Sequence, residues 1–561
     1  MAGSERRSER TVLGYPLAWM PADLVAGLTL AAYAIPVALA YATLAGLPPQ
    51  VGIYGYLLGG LGYAIAGSSR HLAIGPTSAI SLMIAGTVGG LAGGDAERYV
   101  QIASLAALTV GLLAFLAWLL RLSVLVKLIS DSVLTGFKAG AGLTIAMTQL
   151  PALIGTAGGG HNFAERAIAF LLQVPAANTA TLGVGLVALA LLWLGERHLP
   201  GRPVALAVVI LSIFAVGLLN LTAVGVVVTG QIPPGLPEPQ WPTLRLRDEE
   251  GIIPLAIGCL LLAYIEGVAA ARTFAAKHDY PLDARRELLG LAAANVAAAG
   301  GGAYPVAGGL SQSAVNEKAG AQSRMSLVFA SLTLAACLLL LTGFLANLPK
   351  AVLAAVVLMA IRGLLDVRAL VHMWRTSRFD FLCAMVALLG VLALGILQGI
   401  LIAALVSVLV LLAVASRPHV QFLGRIPGTR IYSDLAHQPE NERLAGVLAF
   451  RPAISLLYLN ADHILATVLA RLASTEHADV RLVICDLSGT PRMDLAGVDM
   501  LSELHGLLAA RGVAFSVCHA HGQPRRLLID AGLAAKIPGI DQRATLDSEL
   551  DRLADMPAGR P

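Results

Sequence analysis

The sequence predicts a polytopic α-helical membrane protein followed by a smaller soluble α/β domain, and three observations carry that expectation. The 561-residue chain is 57% hydrophobic and only 13% charged, against about 25% charged in ordinary soluble domains, and its mean hydropathy is +0.75. Apolar segments of about 20 residues, the length that crosses a bilayer, crowd the first 415 positions. Charge then steps up: from Arg417 onward 31 of 145 residues are Asp, Glu, Lys or Arg, against 43 of the 416 before it. A multidomain soluble enzyme is thereby excluded. The step divides the chain into an N-terminal cytoplasmic segment (1–20), a membrane body (21–416), a soluble domain (417–556) and a short tail (557–561).

Candidate spans lie near 24–44, 50–66, 99–119, 132–154, 179–195, 203–221, 252–271, 287–300, 326–347, 350–363, 379–396 and 398–415. Two shorter segments, 76–90 and 309–318, follow Gly- and Pro-containing approaches and read as half-helices. Together they make about fourteen crossings. Interrupted segments at matching positions in two halves point to an inverted-repeat transporter with its substrate near the midplane. Here they are third and tenth, which gives a seven-plus-seven repeat.

Charge supplies an independent check on orientation. Arg70; Arg121 and Lys127; Arg197 and Arg202; Arg272, Lys277, Arg285 and Arg286; Lys318 and Arg324; and Arg362, Arg368, Arg375 and Arg378 all fall in alternate turns, which are assigned to the cytoplasm. Lys350 is the exception. The basic start, Arg6, Arg7 and Arg10, lacks the features of a cleaved signal and reads as a retained anchor. Both termini are expected in the cytoplasm, with the body in a bacterial inner membrane.

Other classes of chemistry find no support. The net charge of +4 is spread thinly, with no Lys/Arg run interleaved with aromatics, so nucleic acid is not an expected partner. Cys259, Cys337, Cys383, Cys485 and Cys518 are scattered without a CxxC spacing and read as packed thiols, indicating neither a disulfide framework nor a metal site. No Gly-rich phosphate cradle or nucleophile and base pair marks a catalytic centre. No cofactor is expected beyond a coupling proton or sodium ion.

The two half-helices carry the chemistry. The first follows Gly67-Ser-Ser-Arg-His-Leu-Ala-Ile-Gly-Pro76 and opens with Thr77, Ser78 and Ala79; the second follows Gly300-Gly-Gly-Ala-Tyr-Pro-Val-Ala-Gly-Gly309 and opens with Leu310, Ser311, Gln312 and Ser313. Pro76 forces an extended approach, and hydroxyls beside unpaired backbone N–H groups suit a helix start. If the two N-termini face each other at mid-membrane, their partial positive charges form an anion site that needs no lysine or arginine. The bland alternative is that Gly and Pro merely kink membrane helices; the matched pair outweighs it. Glu266 sits deep in the eighth span, where a carboxylate costs about 2.5–3.5 kcal/mol on insertion scales. It is expected to face the protein interior and to titrate or hold a cation, against the alternative of an interfacial pair with Arg272. Lys138 and Asp131, near one end of the fifth segment, read as snorkelling or mutually paired. Tyr33 and Tyr41 lie on similar faces of the first span, suited to aromatic packing or, for Tyr41, to lining a pocket.

At these residues the sequence resembles the sulfate permease (SulP) family of anion transporters. The resemblance runs through Ile35-Pro36, Ala40-Tyr41-Ala42, Ala45-Gly-Leu-Pro-Pro49, Gly52-Ile-Tyr54, Gly67-Ser-Ser-Arg-His71, Arg286-Glu-Leu-Leu-Gly290, Asn295, Pro305-Val306 and Gly309-Leu-Ser-Gln-Ser-Ala-Val-Asn316, ordered along nearly the whole chain. It implies a nucleobase-transporter-like fourteen-span fold with core and gate domains, moving as an elevator, and a homodimer. It also implies an anion held by Tyr41, by Thr77, Ser78 and Ala79, and by Gly309, Leu310, Ser311 and Gln312, with Glu266 at the position that binds a coupling ion. Val37 stands where many members carry Gln, and Gln312 where many carry Arg. With Gln312 the pocket is expected to lack a fixed cation, so an oxyanion needs Glu266 protonated or cation-bound, which favours symport. Sulfate leads among substrates, with bicarbonate and C4-dicarboxylates open; a nucleobase permease of the same fold and a membrane-tethered signalling scaffold are the rivals.

In the tail, Leu444–Phe450 and Ser455–Leu459 read as strands, Asn460 as the cap of a helix near 461–474, Leu482–Cys485 as a buried strand, 494–511 as a helix and Val513–Val517 as a strand. Asp486-Leu-Ser-Gly-Thr-Pro-Arg-Met-Asp494-Leu-Ala-Gly497 resembles the strand-to-helix loop of STAS domains, which implies dimer contact or docking of a cytoplasmic protein. The phosphorylatable Ser of related antagonists is here Leu495, so phosphorylation at that place is not expected.

Overall fold

A computed structural model describes residues 15–122, 130–160, 162–199, 203–243, 249–474, 479–540 and 544–554. Arg6, Arg7, Arg10, Lys127, Arg202 and the tail 557–561 lie outside the described residues. The chain divides into two compact units, Met1–Ser407 and Val408–Pro561.

Helices occupy each segment expected to be apolar: α1 (Met20–Leu44), α2 (Pro49–Ala66), α3 (Ser78–Ala92), α4 (Ala96–Leu119), α5 (Asp131–Ile154), α6 (Phe163–Gln173), α7 (Thr179–His198), α8 (Val204–Leu219), α9 (Glu249–Lys277), α10 (Ala284–Gly300), α11 (Leu310–Lys318), α12 (Met325–Leu340), α13 (Thr342–Leu345), α14 (Lys350–Ile361), α15 (Val367–Thr376), α16 (Arg378–Leu394) and α17 (Ile396–Ser416). Two-residue strands, β1 (Ile74–Gly75) and β2 (Ala307–Gly308), precede the half-helices α3 and α11. Among the described residues, 5 helical segments are long and apolar enough to cross a membrane, by length and composition alone: Leu17–Leu44, Ala96–Leu119, Thr179–His198, Gly251–Lys277 and Ile396–Ser416.

Two helices were not anticipated. α6 and α15 are short and amphipathic, and neither buries a whole residue. Their mixed polar faces hid them from a search for apolar runs, yet they fall at equivalent places in the two halves. The expected span 326–347 is also broken, α12 ending at Leu340 before the single turn α13.

Packing follows the repeat. α1 packs on α2, α11 and α12, and seven spans later α9 packs on α10, α3 and α4; α2 meets α12 as α10 meets α4; α5 meets α16 as α14 meets α7. The first two sets form one bundle, α1–α4 with α9–α12. A second bundle is built on α5, α7, α14 and α16, with α5 against α14 at its centre. Glycine sets the closest approaches. A Cβ on Gly52 of α2 would lie 2.0 Å from the Ala38 carbonyl oxygen of α1, and one on Gly136 of α5 would lie 1.8 Å from that of Ala384 in α16. Small residues are what let membrane helices meet this closely.

The second unit holds a five-stranded sheet in the order β4-β3-β5-β6-β7, from β3 (Val420–Arg425), β4 (Tyr432–Asp434), β5 (Val447–Pro452), β6 (Leu482–Asp486) and β7 (Ala514–Cys518). β5, β6 and β7 run parallel, and β3 is antiparallel to both of its neighbours. Among the described residues, four helices accompany it: α18 (Ala461–Leu472), α19 (Leu495–Ala509), α20 (Gly522–Asp530) and α21 (Leu546–Ala554). Phe450, Ile464, Val483, Leu501 and Leu504 centre its core. Inside β6, Asp486 is fully buried and bound by Arg451 Nη2 at 2.6 Å, His519 Nδ1 at 3.0 Å and the Ser488 N–H at 2.9 Å. Burial alone would push its carboxyl up, but the Ser488 N–H and the Arg451 guanidinium hold it below the usual carboxylate range. Two expectations fail here. Ser455–Leu459 is not a strand: Pro452 closes β5, and beyond it only Leu456 bridges, to Met493. Asn460 stands at the start of α18 without capping it, because its Oδ1 accepts the Leu457 N–H of the preceding turn. β3 and β4 went unread, being interrupted by Gly and polar residues. All five cysteines are buried and free.

The Gly136 contact yields a test. Gly136→Ala should lower the melting temperature of the detergent-solubilised protein, an overpacking cost of about 1–3 kcal/mol. Gly183→Ala in α7, where an added Cβ meets nothing within 4 Å, should leave it unchanged.

Candidate functional site

The site begins with two interrupted helices that must satisfy their backbone away from water. They do so against each other: Ile74 pairs with Gly308 and Gly75 with Ala307 in an antiparallel ribbon. Thr77 (φ −127°, ψ 153°) and Gly309 (φ −110°, ψ 141°) then turn the chain into α3 and α11, and neither start carries a side-chain cap. The leading N–H groups of both helices are thus free of side-chain acceptors.

Each half-helix is braced by the approach to the other. Ser313 of α11 accepts the Ala73 N–H at 2.9 Å, while Tyr304, ahead of β2, bonds Ser81 of α3 at 3.0 Å. Gln312 donates to the carbonyls of Ala73 at 2.9 Å and Ala307 at 3.1 Å and accepts from the Tyr56 hydroxyl. Asn295 of α10 clasps Val306 in both directions, at 3.0 and 3.1 Å. Farther out, the buried Glu287 accepts from Tyr63 at 2.8 Å and from the Ser68 and Ser69 N–H groups at 3.0 Å each. Asp23, fully buried in α1, accepts the N–H groups of Gln322 and Ser323 at 2.7 and 3.0 Å. Sequence reasoning assigned no role to Tyr56, Tyr304, Glu287 or Asp23. A carboxylate at the start of an apolar run was the available signal for the last two.

Both helix starts open on a cavity of about 270 Å³. Tyr41, Thr77, Ser78, Gly309, Leu310, Ser311, Gln312 and Glu266 all line it, as do Tyr33 and Val37. Ala79 does not: one residue into α3, it is turned into the bundle and buried. Gln312 reaches the wall with its amide hydrogens already committed to backbone carbonyls, so it holds the ribbon instead of offering donors to a ligand. The Thr77 Oγ1 is buried with no hydrogen-bond partner, an unspent polar group at the mouth of α3. Glu266 faces this space, not Arg272.

Lys138 corrects the sequence reading. It neither snorkels nor pairs with Asp131 but lines the cavity from α5, where its charge acts on Glu266. The pocket therefore has a lysine after all. It comes from the second bundle, whereas Glu266 and both helix starts belong to the first.

Two further cavities lie along α14. One, of about 450 Å³, shares Tyr33, Ser311, Ala360 and Gly363 with the central cavity and is walled by Lys318, Arg362 and Glu196. The other, of about 320 Å³, is lined by Lys350, Arg166 and the C-terminal part of α5 and shares no lining residue with the central one. The central cavity thus continues toward one end of α14 and is separate from the other. Lys350, the exception to the charge pattern, belongs to the separate cavity.

Comparison with known proteins agrees with this architecture. The sulfate permease family profile matches residues 20–387 and the STAS domain profile residues 438–548. The chain is 32% identical over 523 residues to the protein named "Probable sulfate transporter Rv1739c" of Mycobacterium tuberculosis, covering 93% of each. It is 32% identical to "Low affinity sulfate transporter 3" of Stylosanthes hamata, covering 92% of this chain and 85% of that one. Among solved structures, murine Solute Carrier 26 family member A9 in the inward-facing state superposes with a TM-score of 0.87 at 22% identity, over 97% of this chain and 93% of that one. The transmembrane domain of the cyanobacterial bicarbonate transporter BicA gives 0.60 at 21% identity, over 70% of this chain and 98% of that one. The chain belongs to the sulfate permease family and carries a STAS domain behind its membrane body.

Proposed function

We propose that the protein is a secondary active transporter of inorganic oxyanions, with sulfate as its substrate and a proton taken up at Glu266 as the coupling ion. The observation that carries this reading is the central cavity: two uncapped helix starts, an unpartnered Thr77 hydroxyl, Lys138 and Glu266 converge on one space.

Charge arithmetic favours coupling. Each helix N-terminus contributes about half an elementary charge, so the pair supplies about one. Lys138 adds one and an ionised Glu266 removes it. A sulfate dianion then meets about one compensating charge, and protonating Glu266 raises that to about two. A proton and a divalent oxyanion therefore bind better together than apart, which is the thermodynamic condition for symport. A sodium ion at the carboxylate satisfies the same arithmetic, and the gradients below separate the two. Names of the relatives support sulfate over other anions.

Alternating access fits the two bundles. The binding elements ride on α1, α3, α9 and α11, while Lys138, Ala360 and Gly363 come from the opposing bundle. Movement of the first bundle past the second would exchange the connected basic cavity, with Lys318 and Arg362, for the separate one, with Arg166 and Lys350. By the charge pattern of the turns the connected cavity faces the cytoplasm, with the body in a bacterial inner membrane.

Purified protein in liposomes should take up sulfate faster under an inward proton gradient than under a sodium gradient, in a panel with bicarbonate, fumarate and chloride. Sulfate uptake no greater than in protein-free vesicles would remove the reading. Glu266→Gln should keep sulfate exchange and lose its acceleration by the proton gradient. Lys138→Met and Thr77→Val should each raise the KM for sulfate about tenfold, the loss of one charge-assisted or buried polar contact, with the melting temperature unchanged.

A further inference from the structure

We propose a divalent transition-metal site in the second unit, formed by His419, Asp434 and His437. The three residues arrive from separate places. His419 stands between the end of α17 at Ser416 and the start of β3 at Val420; Asp434 is the last residue of β4, held opposite Leu423 by the antiparallel ladder; His437 follows in the next turn, its N–H on the Asp434 carbonyl at 3.2 Å. Folding of the hairpin brings them together.

Their ligand atoms converge. Asp434 Oδ2 lies 2.8 Å from His419 Nε2 and 2.9 Å from His437 Nδ1, and the three donor atoms all lie within 4.8 Å of one another. Donors around a tetrahedral zinc with bonds of about 2.0 Å sit roughly 3.3 Å apart. Only small rotations of two imidazoles separate the observed cluster from that spacing. The carboxylate is buried, 7% exposed, and its Oδ1 is fixed by the Ala436 N–H at 3.1 Å, so it is the anchored ligand. Both imidazoles are exposed, which leaves a way in and an open position for water.

Two imidazoles and one carboxylate suit zinc, nickel or copper better than magnesium or calcium, which take oxygen ligands. Binding would take each imidazole as the neutral tautomer that carries its ring proton on the nitrogen away from the metal. A second group with ligand atoms as close, Asp486, Cys518 and His519, is a poorer candidate because the Arg451 guanidinium already occupies Asp486 at 2.6 Å. A metal on the first cluster would tie the residue that enters the sheet to the β3–β4 hairpin.

The test is titration of the full-length protein, purified without a polyhistidine tag, with Co²⁺ followed by visible absorption and with Zn²⁺ followed by calorimetry. One saturable site per chain is expected. His437→Ala, at an exposed position, and Asp434→Asn should each weaken it by at least about tenfold, the loss that even outer-shell changes produce. His519→Ala should leave it intact, and circular dichroism of His437→Ala should match the parent. Absence of a saturable site, or a site that survives His437→Ala unchanged or disappears in His519→Ala, would overturn the proposal.

Discussion

Everything in the membrane body rests on how two broken helices satisfy their backbone away from water. A peptide group left unpaired in hydrocarbon costs several kcal/mol, and the chain meets that cost with the pairing of Ile74–Gly75 on Ala307–Gly308. Side chains then cover what the ribbon leaves open: Gln312 and Ser313 on Ala73, Asn295 on Val306, Tyr304 on Ser81. Because each half-helix is braced by the approach to the other, the two N-termini form one rigid unit. The two helix starts, which carry no side-chain cap, stay uncovered in that arrangement.

Polar groups in this body therefore divide by what they have left to offer. Gln312, Asn295 and Glu287 have spent their hydrogen-bonding capacity on the fold. Thr77 has not, and neither have the leading amides of α3 and α11. The same residue type at the same depth can be scaffold or ligand, and only the partner list separates them.

That division explains what could be read from the sequence. Gly and Pro before a Ser/Thr-rich start mark a half-helix whatever its surroundings, so α3 and α11 were legible, as was Glu266, the carboxylate deep in the eighth span. Direction around a helix axis was not. Lys138 lies about two turns from the start of α5, a depth equally suited to snorkelling outward or facing inward, and packing of α5 against α14 and α16 decides the matter. Ala79 fails for the same reason in reverse. In the second unit, short apolar runs revealed β6 and β7, whereas β3 and β4 depend on each other through a ladder that no single segment announces.

The small residues that bring the helices together have a mechanical consequence. α1 packs on α14, and the buried positions of the two helices include Ala31, Ala34 and Ala38 on one and Ala351, Ala354 and Ala355 on the other, while the whole chain is only 5% aromatic. Surfaces tiled with methyl groups have shallow relief. A displacement along such a face would pass over low steric steps without interlocked side chains having to change rotamer. On such faces the pace of any displacement would be set by whether the charges carried across are balanced.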